Sequence, residues 1–329
     1  MIKPKIIVIC GPTASGKSDL AVWLAKKMKT LSHASGAAGR ASRTEVLGEI
    51  ISADSRQVYK GLDIGSGKVP RDKISLKSPK LQTTSYLYKG VSHHLLDIAN
   101  PKRKFTVYQY KEMADKAILD IMSRGKVPII CGGTGFYIDT VVKNLILPDV
   151  PADTIFRKKI EGYSKEKLFQ MLQKLDPVRA TNIDINNKVR MIRAIEVVRS
   201  LGKVPVVLSV PIYESLSFGI NLGDEILKRR IRDRLLKRIK SGMVREVENL
   251  HKRGLSWRRM EELGLEYRYV TRYLQKKISR KEMTDTLCTE SWHYAKRQMT
   301  WFRRDKGIVW VNVSDKKKIL HIAMKFLKK

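Results

Sequence analysis

The residues Gly11-Pro12-Thr13-Ala14-Ser15-Gly16-Lys17-Ser18 combine glycine, lysine and hydroxyl in a spacing suited to phosphate. Gly11 to Ser18 form the diphosphate-binding candidate: the backbone N–H groups cradle phosphate oxygens at a helix N-terminus. Lys17 adds a mobile positive charge at the terminal phosphates, and the Ser18 hydroxyl is placed to reach Mg²⁺. The apolar run Ile6 to Cys10 precedes the motif and Asp19 to Ala25 follows it, giving the strand, loop and helix that the mechanism requires. The motif fits a bound di- or triphosphate and leaves open whether that is ATP or another diphosphate.

Asp54 closes a second apolar run, Glu49 to Ala53. In a parallel sheet that position faces the phosphate loop. Its carboxylate could hold Mg²⁺ through water, take a proton from an acceptor nucleophile, or simply cap a turn. Gly132-Gly133-Thr134-Gly135 repeats the pattern at the end of Val127 to Cys131. Its N–H groups and the Thr134 hydroxyl could grip a backbone phosphate of a partner.

These loops must be carried by regular elements. Strands are expected at 5–10, 49–54, 94–98 and 127–131, with helices at 16–29, 106–123 and 136–144 between them. The alternation predicts an α/β fold, a P-loop NTPase-like parallel sheet flanked by helices with ligand loops at its carboxyl edge. Residues 55–92 read as turn-rich. The small, polar stretch 31–47 reads as a surface loop insertion. From 146 to 203 the pattern is mostly helical, clearest at 164–175 and 187–201, and is taken as a helical inserted domain. Residues 204–210 read as a strand returning to the core, so that 1–145 and 204–329 form the catalytic part. Beyond it, 224–252 reads as a long basic helix or a pair, and 256–304 as helical and aromatic-rich. Aromatics interleaved with Lys and Arg suit stacking on single-stranded nucleic acid, and equally suit helix packing.

Lys+Arg number 66 against 32 Asp+Glu, a net charge of +34. Such an excess favours a polyanionic partner, although a solvated lysine-rich surface has the same composition. Cys10, Cys131 and Cys288 lack metal-ligand spacing and read as thiols in a reducing compartment. No leader is expected, because the first apolar run passes straight into the phosphate loop. No stretch is apolar enough to span a bilayer, so the expectation is a cytoplasmic protein without membrane contact.

The residues alone lead to a Mg²⁺-dependent phosphate-loop transferase with a basic, RNA-binding surface. A metabolite kinase using ATP and a non-enzymatic RNA-binding protein are the alternatives. Five blocks add to this: GPTASGKS (11–18), ISADSRQVYKGLDIGSGK (51–68), HHLLDI (93–98), RGKVPIICGGTGFYI (124–138) and YAKRQMTWFR (294–303). In order and over nearly the whole chain, they resemble the tRNA dimethylallyltransferase (isopentenyltransferase) family, in its bacterial-type form. The resemblance implies transfer of a dimethylallyl group from dimethylallyl diphosphate to N6 of the adenosine immediately 3′ of the anticodon, in tRNAs reading codons that begin with U. It implies a monomer with Mg²⁺ as cofactor and the tRNA anticodon stem-loop as partner. Asp54 resembles the family's general base. Lys17, Ser18 and Arg234 would stabilise the departing diphosphate. Asp54, Ser55, Arg56, Gln57 and Thr134 fall on tRNA-contact positions. Val189, Arg190, Met191, Ile192 and Arg193 fall on a further tRNA-contact segment, with Val189 in place of the family's glutamine. Leu265, Trp292 and Asp224 depart from the family pattern in the C-terminal half.

Overall fold

The computed structural model describes residues 3–28, 48–72, 86–206 and 208–328. The expected surface loop at 31–47 lies outside the described residues. Among the described residues seven strands form one sheet: β1 (Lys5–Cys10), β2 (Gly48–Ala53), β3 (Tyr86–Tyr88), β4 (Val91–His94), β5 (Val127–Gly132), β6 (Glu214–Ile220) and β7 (Val309–Val311). Their order is β3-β4-β2-β5-β1-β6-β7. Every pairing is parallel except β3 with β4.

The helices are α1 (Lys17–Lys27), α2 (Val107–Ser123), α3 (Gly135–Val142), α4 (Thr154–Ile160), α5 (Lys165–Leu175), α6 (Pro177–Thr181), α7 (Lys188–Leu201), α8 (Asp224–Lys240), α9 (Met243–Lys252), α10 (Trp257–Leu263), α11 (Leu265–Leu274), α12 (Arg280–Phe302) and α13 (Lys316–Lys328). Local chemistry sets several boundaries. Thr106 and Gln109 form a reciprocal capping box at the start of α2, and Ser279 with Glu282 do the same for α12. Gly202, at φ 78, ends α7 in the left-handed region.

Strand β1 is apolar on both faces because helices cover both sides of the sheet. Ile6, Val8 and Cys10 pack with Tyr110, Ala114 and Ile118 of α2. Ile7 and Ile9 pack on the other side with Leu20 and Leu24 of α1 and Ile319 of α13. The register matters for function. Gly132 lies level with both Cys10 and Ala53. The residues that follow these strands, Gly11, Asp54 and Gly133, therefore emerge side by side at the carboxyl edge. A Cβ on Gly132 would sit 2.1 Å from the Ala53 carbonyl oxygen, so only glycine allows this closeness.

Three expectations change. The strand expected at 94–98 is Val91–His94, and Leu95 and Asp97 follow it with φ of 61° and 57°. Backbone in that region leaves an extended strand. The stretch read as turn-rich at 55–92 contains β3 and the start of β4. Val204–Val210 is not a sheet strand. It runs back along 144–146, where Leu145 bridges Ser209, the Ile146 amide donates to the Leu208 carbonyl at 3.0 Å and Asn144 Nδ2 donates to the Val210 carbonyl at 2.9 Å. The returning strand is β6, read past because Glu214, Ser215 and Ser217 interrupt its apolar pattern.

The chain divides into two compact units, Met1–Lys143 with Pro211–Lys329, and Asn144–Val210. The second is wider than the expected 146–203 because of the pairing just described. It holds its own core, with Phe156, Ile160, Leu168, Leu172, Met191 and Ile195 among its members.

Candidate active site

The phosphate loop leaves β1 at Gly11 (φ 153) and enters α1 at Gly16 (φ 93). Gly16 is the N-cap and no side chain caps the helix, so its first amides await an external acceptor. Lys17 Nζ lies back on the loop and donates to the Pro12 carbonyl at 3.1 Å. Burial, with the Arg234 guanidinium nearby, pushes the Lys17 pKa below its ordinary value.

Two loop amides depart from the expected cradle. The Thr13 amide donates to Gln298 Oε1 at 2.8 Å, and the Ser15 amide to the Pro12 carbonyl at 3.3 Å. Thr13 and Ser15 thus shape the loop with their amides, and the N–H groups of Ala14, Gly16, Lys17 and Ser18 remain for an anion. The Ser15 hydroxyl is buried without a partner among the described residues.

Asp54 stands just beyond β2. Its Oδ1 accepts from the amides of Arg56 (2.8 Å) and Gln57 (3.3 Å). This is the turn-capping role, and it holds the carboxylate through Oδ1. Thr134 Oγ1 accepts from the Ser55 amide at 3.1 Å, joining this turn to the second glycine loop. Arg56 Nε donates to the Leu263 carbonyl at 2.6 Å, and Gln57 Nε2 to the Gly67 carbonyl at 3.4 Å.

Helix α8 presents Arg230, Arg234 and Arg238 one turn apart on one face. Arg230 donates to the Ser15 carbonyl (3.4 Å), Arg234 to Thr13 Oγ1 and the Gly67 carbonyl (both 3.1 Å), and Arg238 to the Gly65 carbonyl (3.3 Å). Burial and the like charge of Arg238 push the Arg234 pKa down to about 10. The loop that receives these arginines is itself pinned. The Glu246 carboxylate accepts from the amides of Asp63, Ile64 and Gly65 at 3.1, 2.6 and 3.0 Å and from the Tyr267 hydroxyl at 3.0 Å. Buried Lys68 pairs with Asp63 and Asp97.

Lys17, Ser18, Asp54, Ser55, Arg56, Gln57, Arg234 and Arg238 line one cavity of about 800 Å³. Thr134 joins them through its bond to Ser55. Sequence reasoning missed part of the wall. Ser291, Tyr294, Arg297 and Gln298 line it from α12, and their spacing of three and four residues is the signal that they share a helix face. Burial raises the Tyr294 pKa to about 12, keeping its hydroxyl protonated. Among the aromatics of 256–304, for which stacking and packing were both open, Tyr267 is a packing residue, 1% exposed.

Val189 to Arg193 belong to the other unit, on α7. Val189 and Arg190 are exposed. Met191 is 0% exposed in that unit's core, so its side chain is a packing group and not an RNA contact. Ile192 packs against the same core. Arg193 pairs at 3.4 Å with buried Glu196, which also holds Arg157 at 2.6 Å.

No helix among the described residues is long and apolar enough to cross a membrane. The IPP transferase family model matches residues 57–305. The tRNA dimethylallyltransferase 2 of Treponema denticola is 40% identical over 317 residues, covering 94% of this chain and 95% of that protein. The tRNA dimethylallyltransferase 1 of Syntrophus aciditrophicus is 37% identical over 316 residues, 94% of each chain. Among solved structures, the tRNA isopentenylpyrophosphate transferase of Bacillus halodurans superposes with a TM-score of 0.68 at 30% identity, over 99% of this chain and 97% of that one. With a family match over most of its length and relatives of this similarity, the chain belongs to the IPP transferase family.

Proposed function

We propose that the protein transfers a dimethylallyl group from dimethylallyl diphosphate to N6 of the adenosine immediately 3′ of the anticodon in tRNA. The observation that carries this is the cavity in which an uncapped phosphate loop, Lys17 and Arg234 converge beside the carboxylate of Asp54. One side of that cavity suits a leaving diphosphate and the other suits a proton acceptor. The names of the relatives supply the transferred group, dimethylallyl, and the acceptor, tRNA.

The diphosphate lies on the amides of Ala14, Gly16, Lys17 and Ser18, with Lys17 and Arg234 on its outer oxygens. The adenine N6 lone pair attacks the allylic C1. The C1–O bond breaks and its electron pair leaves with the diphosphate. The proton of N6 passes to Asp54 Oδ2. An exocyclic amine is a weak nucleophile, so a fixed carboxylate in an enclosed site matters. The adenosine leaves its stack to reach the cavity, and Ser55, Arg56, Gln57 and Thr134 line its path. Arg190 adds a phosphate contact from the inserted unit.

The donor set suits Mg²⁺ that arrives with the diphosphate. Among the described residues no cluster of three His, Cys, Asp or Glu could hold a metal, whereas the Ser18 hydroxyl and the carboxylate of Asp54 face the same cavity. Mg²⁺ takes most of its ligands from phosphate and water in such sites. Ser18 would hold it, and when bound it would neutralise charge on the diphosphate.

The test incubates the protein with Mg²⁺, bulk tRNA and labelled dimethylallyl diphosphate, with labelled ATP as the comparison donor. Label from the isoprenoid is expected in adenosine of the tRNA. Label from ATP alone would make the protein a kinase and end this reading.

A further inference from the structure

The hydrogen bonds around the cavity close into a ring. Thr134 Oγ1 takes the Ser55 amide. Gln57, in the same turn, donates to the Gly67 carbonyl, which also receives Arg234. Arg234 reaches Thr13 Oγ1, the Thr13 amide reaches Gln298 Oε1, and Gln298 Nε2 donates to the Gly133 carbonyl at 2.8 Å. Gly133 is bonded in sequence to Thr134, and the circuit is complete. Gln298 is the member that joins the phosphate loop to the second glycine loop.

Three observations set Gln298 apart from a space-filling side chain. It is 6% exposed, with both ends of its amide engaged on backbone groups of different loops. It takes the amide of Thr13, so the phosphate loop is held by a side chain from α12 as well as by its own turn. Gly133 leaves it room: a Cβ there would lie 2.2 Å from Gln298 Nε2. One helical turn earlier, Tyr294 lines the same cavity from α12.

We propose that Gln298 is a positioning residue, acting through Thr13 and Gly133 to hold the diphosphate loop in register with the loop beside the acceptor base. The inference rests on the transfer reaction proposed above, in which an allylic carbon fixed at one loop meets an amine fixed at the other. Such reactions depend steeply on alignment, and a slip of about 1 Å costs on the order of 10²-fold in rate. Gln298 touches neither reacting atom.

The experiment compares wild type with Gln298→Met, which keeps length and loses both bonds. Melting temperature, affinity for inorganic pyrophosphate, affinity for an anticodon stem-loop RNA and steady-state transfer are measured. The expected result is a folded protein with both affinities close to wild type and kcat reduced about 10²-fold. The influence of pyrophosphate on RNA affinity, a linkage between the two sites, should also vanish. Wild-type kcat in the variant overturns the proposal, as does a raised KM at unchanged kcat, which marks a residue serving binding alone. If Gln298→Met does not fold, Gln298→Glu decides. It retains the acceptor for the Thr13 amide and loses the donor to Gly133, so a low kcat with preserved pyrophosphate affinity supports positioning and a normal kcat overturns it. If wild type transfers no dimethylallyl group at all, the functional reading fails by itself. The positioning proposal is then judged on the pyrophosphate–RNA linkage, and a linkage unaltered by Gln298→Met overturns it.

Discussion

Asp54 uses its two oxygens differently, and that separation makes its role testable. Oδ1 holds the Arg56 and Gln57 amides, a task an asparagine carbonyl performs equally well. Asp54→Asn should therefore fold and bind diphosphate normally while transfer falls about 10²–10⁴-fold, the usual cost of losing a general base. Loss of pyrophosphate affinity in calorimetry would instead make Asp54 part of the diphosphate site. Lys17 and Arg234 give a pH prediction. Both are lowered by burial, Arg234 to about 10, and in the proposed reaction each holds diphosphate only when charged. Affinity should be full at neutral pH and fall as pH rises toward 10. Lys17→Met should weaken binding at neutral pH and alter that alkaline limb, which a titration of pyrophosphate affinity reads directly. The loop of Gly11 to Ser18 and the strand-end place of Asp54 were legible in the sequence because both are local features, a loop of fixed spacing and a carboxylate after an apolar run. Gln298 fell inside the block 294–303, but its role was not legible, because its partners Thr13 and Gly133 lie far away in sequence.

At the level of elements, α8 and the loop at 61–68 work as one part. Arg234 and Arg238 lie against Gly67, which has φ +63, and a Cβ there would meet their guanidiniums at 2.2 and 1.8 Å. Gly67→Ala should force both arginines off the loop, lowering transfer more than RNA affinity in kinetic and filter-binding assays. Glu246 anchors the same loop from α9. Its replacement by alanine deprives three amides of their acceptor, and about 1–3 kcal/mol of stability should be lost in urea titration. Helices with strong caps and apolar stripes, such as α2, α5 and α7, were readable to within a residue or two. Strands were less so. β6 carries Glu214, Ser215 and Ser217 at its start, and the more apolar run 204–210 mimicked it. Only pairing with 144–146 distinguishes that run from a sheet strand, and pairing is tertiary information.

For the whole molecule, a net charge of +34 should make RNA affinity fall steeply with salt through counterion release. Arg190 is the position at which to test the inserted unit's share. It is exposed, with no ion pair among the described residues, so Arg190→Glu should weaken RNA binding, flatten the salt slope by about 1 and leave pyrophosphate affinity unchanged. Arg193 is a poor choice, because a carboxylate there would face buried Glu196 and unsettle the unit's core. The sheet order carries a consequence for the birth of the protein. β1, which launches the phosphate loop, lies between β5 and β6, and Lys5 pairs with Glu214. At about 5–20 residues per second on the ribosome, the first strand waits roughly 10–40 s for its second neighbour. Meanwhile Asn144–Val210, whose core is drawn from its own residues, has everything it needs to collapse. The inserted unit should thus gain protease resistance on stalled nascent chains before the older-synthesised catalytic part does, so that the first residues made are among the last to be locked in place.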